Sequence, residues 1–302
     1  MKNNTQQKLK KFIDIGSILF FRLMLWLLSF LPYKTRVSFG SNLFSIAISP
    51  LLGNSKRINE NFSFVLPNLT KQEKNRLIRS INRNIGRTIF ELFSPDDFSN
   101  FASKAIITGP GFEKLKSANN LDQPVILVSG HYGNYDVVRA KLRYKNIEVG
   151  ALYKPMQNSY FNKFYLEKIS KIGRPLFPRG QRGMSEMVKF LKKGNCIAVL
   201  FDQVMGRGEP LSFFGKTAYT ATSVAQMAMK YDALLIPFFA ERQSDGFNFE
   251  LHFDKPIVHS KPQKMTQQLN DLLEQRIRTK MDQWLWTHKR WKKPKNLNSI
   301  NL

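Results

Sequence analysis

Apolar residues recur along this chain at two periods. Short runs rich in branched residues, bounded by Pro, Gly or Asn, occupy 124–128, 147–153, 195–201 and 234–240 and read as buried strands. Between them, apolar positions return every three to four residues over 134–145, 159–172, 184–193, 221–230 and 263–283, which predicts helices. Residues 247–253 read as a hairpin strand after 234–240. This alternation predicts an α/β fold over 121–302, with a mostly parallel central sheet flanked by helices. Residues 34–120 read as helical. Leu77, Ile78, Ile81, Ile85, Ile89 and Phe90 fall at helix spacing, and Thr70 with Glu73 makes a capping box at the start. A short helix over 112–118 leads into the first strand. No repeat, low-complexity tract or glycine-rich nucleotide fingerprint interrupts the pattern.

The N-terminus follows a third pattern. Residues 12–31 are apolar almost throughout, and roughly 20 such residues suffice to span a bilayer. Asp14 and Arg22 break the run, no small-residue cleavage site follows, and the flanking lysines and arginines are balanced. Residues 1–33 therefore read as a membrane anchor, either a single span or a helix embedded in one leaflet with Arg22 snorkelling. A buried helix of a soluble domain is the competing reading. The next apolar stretch, 37–52, holds Gly40, several serines and Pro50 and is too mixed to read as a span. Residues 34–302 suit one large domain, with 34–120 as its helical part.

Charge changes the picture of partners. Forty-seven Lys and Arg against 22 Asp and Glu give a net charge of +25, spread over the whole length. Such an excess calls for an anionic partner: nucleic acid, an acidic membrane, an acidic protein or an anionic substrate. Twenty-five phenylalanines suit contact with acyl chains or lipid better than a nucleic-acid surface. Helix-turn-helix, zinc and RRM signatures are missing, so no nucleic-acid partner is expected. The single cysteine, Cys196, lies within a predicted core strand and reads as packing. Four histidines without clustering argue against a histidine-rich metal site.

Candidate chemistry concentrates in Ser129-Gly130-His131-Tyr132-Gly133-Asn134-Tyr135-Asp136, directly after the strand at 124–128. An isolated H-x4-D is common. Its place at the carboxyl end of a buried strand, where open α/β sheets hold their ligands, is what selects it. Across a tight turn, with Asn134 as helix N-cap, Asp136 can fold back to accept the His131 Nδ1–H and leave Nε2 free as a general base. No nucleophile elbow competes with this reading. The chemistry expected is deprotonation of a substrate hydroxyl that attacks an acyl carbonyl, the oxyanion being met by backbone amides near Gly133 or by a cation such as Lys154.

Further polar blocks follow later strands. Lys154 in Tyr153-Lys154-Pro155 reads as a solvated charge or as a phosphate or oxyanion contact. Arg179 and Arg182, flanked by glycines at a helix start, suit anion recognition. Asp202 and Gln203 emerge at the same sheet edge as His131, with Arg182 or Lys154 as the expected partner of Asp202. Phe213-Phe214-Gly215 reads more readily as core than as a substrate wall.

Taken in order, these blocks resemble the late lauroyl/myristoyl-type acyltransferases of lipid A biosynthesis. His131 and Asp136 match the family's H-x4-D/E, Tyr153-Lys154-Pro155 its Y-R-P block with lysine for arginine, and Asp202-Gln203 its Asp-Gln. Arg179, Arg182-Gly183 and Phe213-Phe214-Gly215 match further blocks, and Trp286-Thr287-His288-Lys289-Arg290 looks like its W-x-H-R ending. Leu31-Pro32-Tyr33 and the stretch from Arg57-Ile58-Asn59-Glu60-Asn61 to Pro67 fit its N-terminal half. The resemblance implies a glycerol-3-phosphate-acyltransferase-like fold and an enzyme on the cytoplasmic face of the bacterial inner membrane. It implies acyl transfer from a phosphopantetheine thioester on acyl carrier protein to a hydroxyl of a Kdo-bearing, anionic glycolipid, with no resident cofactor. It carries over His131 and Asp136 as catalytic, and Gly133, Lys154, Arg179, Arg182, Asp202 and Gln203 as substrate-binding. An acyltransferase of the same fold with a lysophospholipid, amino-acid lipid or other glycolipid acceptor is the alternative, and a hydrolase would leave the anchor and arginine loop without purpose.

Overall fold

A computed structural model describes residues 2–204 and 208–293; the last residues of the predicted domain, 294–302, lie outside them. The helical first third comprises α1 (Lys2–Ser29), α2 (Tyr33–Leu43) continued by a π turn (Phe44–Ile48), and the short α3 (Ser49–Leu51). Next come α4 (Asn54–Val65), α5 (Lys71–Leu92) and α6 (Pro95–Ser103). The capping box at the start of α5 is formed: the Glu73 N–H donates to Thr70 Oγ1 at 3.2 Å, and the Thr70 N–H donates to Glu73 Oε2 at 2.8 Å.

From there strands and helices alternate: β1 (Ile106–Thr108), α7 (Gly111–Asn120), β2 (Val125–Ser129), α8 (Val137–Arg143), β3 (Val149–Tyr153), α9 (Ser159–Ile172), β4 (Leu176–Pro178), α10 (Gln181–Leu191) and β5 (Cys196–Leu200). A hairpin of β6 (Glu209–Phe213) and β7 (Lys216–Thr220) follows, then α11 (Ser223–Lys230), β8 (Leu234–Arg242), β9 (Phe249–Phe253), α12 (Pro262–Thr279) and a 3-10 turn at Met281–Gln283. Seven strands form one sheet in the order β1-β9-β8-β2-β5-β3-β4. Every neighbouring pair is parallel except β8 with β9, so the fold is α/β with a mostly parallel central sheet.

β2 lies in the middle of the sheet and is buried on both faces. Its alternate side chains enter different layers, Ile126 and Val128 packing with α4, α5, α10, α11 and α12, Val125 and Leu127 with α6, α7 and α8. Each such side chain stabilises the fold by about 1.5–3 kcal/mol. Cys196 belongs to the second layer, where burial pushes its thiol pKa up and keeps it inert.

The expected elements differ from the observed ones mostly at ends and edges. The helix after the key turn begins at Val137 rather than Asn134, and α10 begins at Gln181 rather than 184. β1 and β4 have three residues each and sit at the sheet edges, too short to leave a period in the sequence. β6 and β7 turn at Phe214 and Gly215, whose φ values of 54° and 66° make a two-residue hairpin turn.

One buried ion pair ties the helical third to the sheet. Glu91 of α5 and Arg242 of β8 are both buried and bidentate, and Glu91 Oε2 also accepts Asn134 Nδ2 at 2.8 Å. Glu91→Ala leaves the Arg242 guanidinium buried without its counter-ion. We expect a loss of about 3–5 kcal/mol in denaturant titrations, against under about 1 kcal/mol for removing the exposed partner in Lys116–Glu113.

Candidate active site

The site is set by strand register. β2 and β5 pair in parallel with Ser129 opposite Leu200, and the Phe201 N–H donates to the Ser129 carbonyl at 3.1 Å. Two residues beyond those ends His131 and Asp202 stand side by side. Asp202 is fully buried. Its Oδ1 accepts the His131 Nδ1–H at 2.7 Å, and its Oδ2 accepts the His131 backbone N–H at 2.8 Å and the Trp284 indole N–H at 2.8 Å. Burial works to raise the Asp202 pKa, but the charge of His131 and its two hydrogen bonds outweigh it and hold the carboxyl well below the usual range. An ionised Asp202 fixes the proton of neutral His131 on Nδ1 and leaves a lone pair on Nε2. Gly130 permits this approach, since a Cβ there would lie 2.6 Å from Leu273 and 3.0 Å from Asp202 Oδ2.

The segment after α12 closes over the turn. The Gly133 N–H donates to the Gln283 carbonyl at 2.8 Å, and the Leu285 N–H donates to the His131 carbonyl at 3.0 Å. Trp284 and Trp286 are buried against Phe213 and Phe214. They carry the chain back so that His288 comes edge-on to His131, with ring centres 5.0 Å apart. Between the two imidazoles sits Gln203, whose Nε2 is 3.1 Å from His131 Nε2 and 3.1 Å from His288 Nε2. Burial, reinforced by the charge of His131, pushes the His288 pKa down to about 4, so His288 is neutral at physiological pH.

Several expected positions are corrected by this geometry. Asp136 does not take the His131 Nδ1–H, because Asp202 on the neighbouring strand already does. Its Oδ1 accepts the guanidinium of buried Arg139 one turn along α8, at 2.8 Å. Asp202 pairs with His131 and Trp284 rather than with Arg182 or Lys154. Arg182 turns to solvent, 92% exposed, and pairs with Glu186 at 3.0 Å. Gly133 holds φ +58° and would drive a Cβ into the Ala240 carbonyl; its N–H, expected near an oxyanion, donates to Gln283 instead.

The other expected residues converge. A cavity of about 850 Å³ at the carboxyl ends of β2, β3 and β5 is lined by His131, Asp136, Lys154, Arg179 and Gln203. Met184, Met187, Met227 and Val224 from α10 and α11 give it an apolar lining as well. An imidazole held at Nδ1, two cations and a methionine-rich apolar wall in one cavity can bring an anionic hydroxyl compound and an acyl chain together. Among the described residues, no group of three or more His, Cys, Asp or Glu side chains is placed to hold a metal ion.

Comparison with known proteins gives the family. The model of the bacterial lipid A biosynthesis acyltransferases matches residues 5–293. The chain belongs to this family. It is 23% identical over 281 residues to the lipid A biosynthesis lauroyltransferase of Escherichia coli (strain K12), covering 89% of each chain. It is also 23% identical over 284 residues to the lipid A biosynthesis palmitoleoyltransferase of the same organism, again covering 89% of each. The crystal structure of the 1-acyl-sn-glycerophosphate acyltransferase PlsC from Thermotoga maritima overlaps 86% of this chain and 100% of its own, with 12% identity and a TM-score of 0.37.

For a lipid A acyltransferase the sequence reading left out one site residue, His288. It stood within the W-x-H-R ending, but nothing local tied that ending to a turn 157 residues upstream. The available signal was the pairing of a histidine with three tryptophans, since such a segment packs inward.

His288 generates a pH prediction. Its folded pKa lies below the ordinary 6.5, so as pH falls from about 6.5 towards 4 the unfolded chain takes up a proton that the folded chain does not. Stability is lost across that window. In denaturation series from pH 7 to 5, His288→Gln should flatten this loss; an unchanged slope would show that His288 already titrates normally.

Proposed function

We propose that this acyltransferase moves an acyl chain from a thioester on acyl carrier protein to a hydroxyl of an anionic, Kdo-bearing lipid A precursor at the cytoplasmic face of the bacterial inner membrane. The observation that carries the reading is the buried, ionised Asp202 holding His131 with Nε2 turned to a cavity that is both cationic and apolar. The acceptor hydroxyl gives its proton to His131 Nε2 while its oxygen bonds to the thioester carbonyl carbon, whose π pair moves onto oxygen. Asp202 supports the imidazolium as it forms. Collapse of the oxyanion breaks the C–S bond, and the proton on Nε2 passes to the departing thiolate sulfur. Lys154 and Arg179 suit the acceptor's anionic groups, and the methionine wall suits the acyl chain.

The surface of the helical third supports a membrane position. α1 lies side-on against the domain: Phe21 is 5.0 Å from Phe93 and 5.2 Å from Phe161, and Asn158 Nδ2 donates to the Asp14 carbonyl at 3.0 Å. Its other face exposes Phe12, Phe20, Leu23, Trp26 and Leu27. A second ridge exposes Phe39, Ile46, Leu51 and Leu52, next to exposed Arg76, Arg79 and Arg83 on α5. One face of α1 in contact from Asp14 to Leu28, and an apolar ridge beside arginines, favour embedding in one anionic leaflet over a crossing.

Two experiments test this reading. In assays with acyl carrier protein thioesters and a Kdo-bearing acceptor, His131→Ala should lower kcat by about 10²–10⁴-fold. Asp202→Asn should cost heavily too, but add little on top of His131→Ala, because an orienting group is useless without the group it orients. Asp136→Asn, acting through Arg139 and the cavity wall, should add to Asp202→Asn. The reverse pattern would return Asp136 to the dyad. For the membrane, high salt should release little of the intact chain, whereas deleting residues 1–33 should release part of it; complete release in moderate salt would remove α1 as an anchor.

A further inference from the structure

Gln203 stands where the acceptor oxygen has to arrive. A hydroxyl that gives its proton to His131 must lie about 3 Å from Nε2, and the Gln203 amide nitrogen is there, 3.1 Å away. The carboxamide is held by a second imidazole. Neutral His131 has its proton on Nδ1, against Asp202, and so presents a lone pair at Nε2. His288 Nε2 is equally close to the same amide nitrogen. An amide nitrogen has two hydrogens and no lone pair to offer, so one –NH2 group meets both imidazoles only if each accepts. With His131 neutral and its proton on Nδ1, this is the orientation that pairs both rings, since the flipped amide would need an Nε2–H on each.

We infer that His288 is a positioning residue that clamps the Gln203 carboxamide with its –NH2 towards the reaction centre, so that an acceptor hydroxyl reaching His131 Nε2 displaces one N–H, which then donates to the oxyanion formed on the adjacent carbonyl carbon. The inference rests on the acyl-transfer reading of the same site. It gives the oxyanion a donor that the turn itself does not supply, since the Gly133 N–H is committed to Gln283 and the His131 N–H to Asp202. During the step no bond to Gln203 or His288 forms or breaks covalently. Gln203 keeps one hydrogen bond to His288 and moves the other from nitrogen to oxyanion. The resting contact also caps the base while no acceptor is bound.

Among the described residues, the groups facing this cluster are Asp202 from the end of β5, the Tyr135 ring from the turn, and Arg290 and Arg57 on the side of His288. None of them is placed to replace His288 as the acceptor of the Gln203 amide. His288→Phe keeps an aromatic ring but removes that acceptor, whereas His288→Gln restores an amide oxygen near the place of Nε2. Without an acceptor, Gln203 is free to turn its carbonyl to His131 and accept a hydrogen bond from a protonated Nε2, which favours the imidazolium.

The test compares the full-length parent, His288→Phe, His288→Gln, Gln203→Leu and the Gln203→Leu/His288→Phe double variant in detergent. For His288→Phe we expect kcat to fall about 10–100-fold with the acceptor KM within about threefold of the parent, and the acid limb of the pH–kcat profile to move to higher pH. His288→Gln should recover at least about tenfold over His288→Phe, and the double variant should match Gln203→Leu alone. A His288→Phe enzyme within threefold of the parent, a glutamine variant no better than phenylalanine, or additive losses would overturn the clamp. A substrate-free arm separates the two readings. In 15N spectra of histidine-labelled protein, His131 should keep its proton to higher pH in His288→Phe than in the parent, and an unchanged titration also counts against the clamp. Failure of the parent to turn over any acyl thioester would overturn the acyl-transfer reading, while those spectra still decide how Gln203 is held.

Discussion

Everything in the site depends on the pairing of β2 with β5. These two strands are adjacent, parallel and in register at Ser129 and Leu200, so the residues two places beyond, His131 and Asp202, are neighbours without any special loop. β2 is buried throughout and Asp202 is fully buried beside it, in a medium where an unpaired carboxylate would be costly. The imidazole, a backbone N–H and the Trp284 indole meet that cost together. The same contacts that make the buried charge tolerable orient the imidazole. In the proposed reaction, stability and chemistry draw on one set of hydrogen bonds.

The turn is then braced from two directions. From the helical third, Glu91 binds Arg242 and Asn134 at once, so the loop following His131 is fixed to the buried ion pair. From the C-terminus, Gln283 exchanges hydrogen bonds with the Arg242 backbone, 2.8 Å to its N–H and 2.6 Å to its carbonyl, and accepts from Gly133. Tryptophans bury the rest of that segment, and Arg290 is held by Thr220, Asn270 and the Tyr219 carbonyl. A turn hydrogen-bonded on both sides needs little reorganisation when substrate arrives.

How much of this was legible in the sequence follows from how local each feature is. Strand and helix periods are local, and α9 over Ser159–Ile172 and the Thr70–Glu73 capping box were readable in full. The placing of His131 at a strand end was readable for the same reason. Its carboxylate partner was not. Asp136 is five residues away in sequence, Asp202 is 71, and only the sheet order decides between them. Nothing in the run of residues says that β5 inserts between β2 and β3. The partner of Arg182 was hidden in another way: on α10 it has Glu186 one turn ahead and pairs there, at the surface and away from Asp202. His288 was hidden because its neighbours in space come from three separate stretches of chain.

The central claim is that Asp202, and not Asp136, sets the proton of His131. The most direct measurement is the 15N spectrum of the His131 imidazole in the parent, Asp202→Asn and Asp136→Asn proteins at a pH where the ring is neutral. The account predicts the Nδ1–H tautomer in the parent and in Asp136→Asn, and its loss in Asp202→Asn. Retention of that tautomer in Asp202→Asn together with its loss in Asp136→Asn would contradict it.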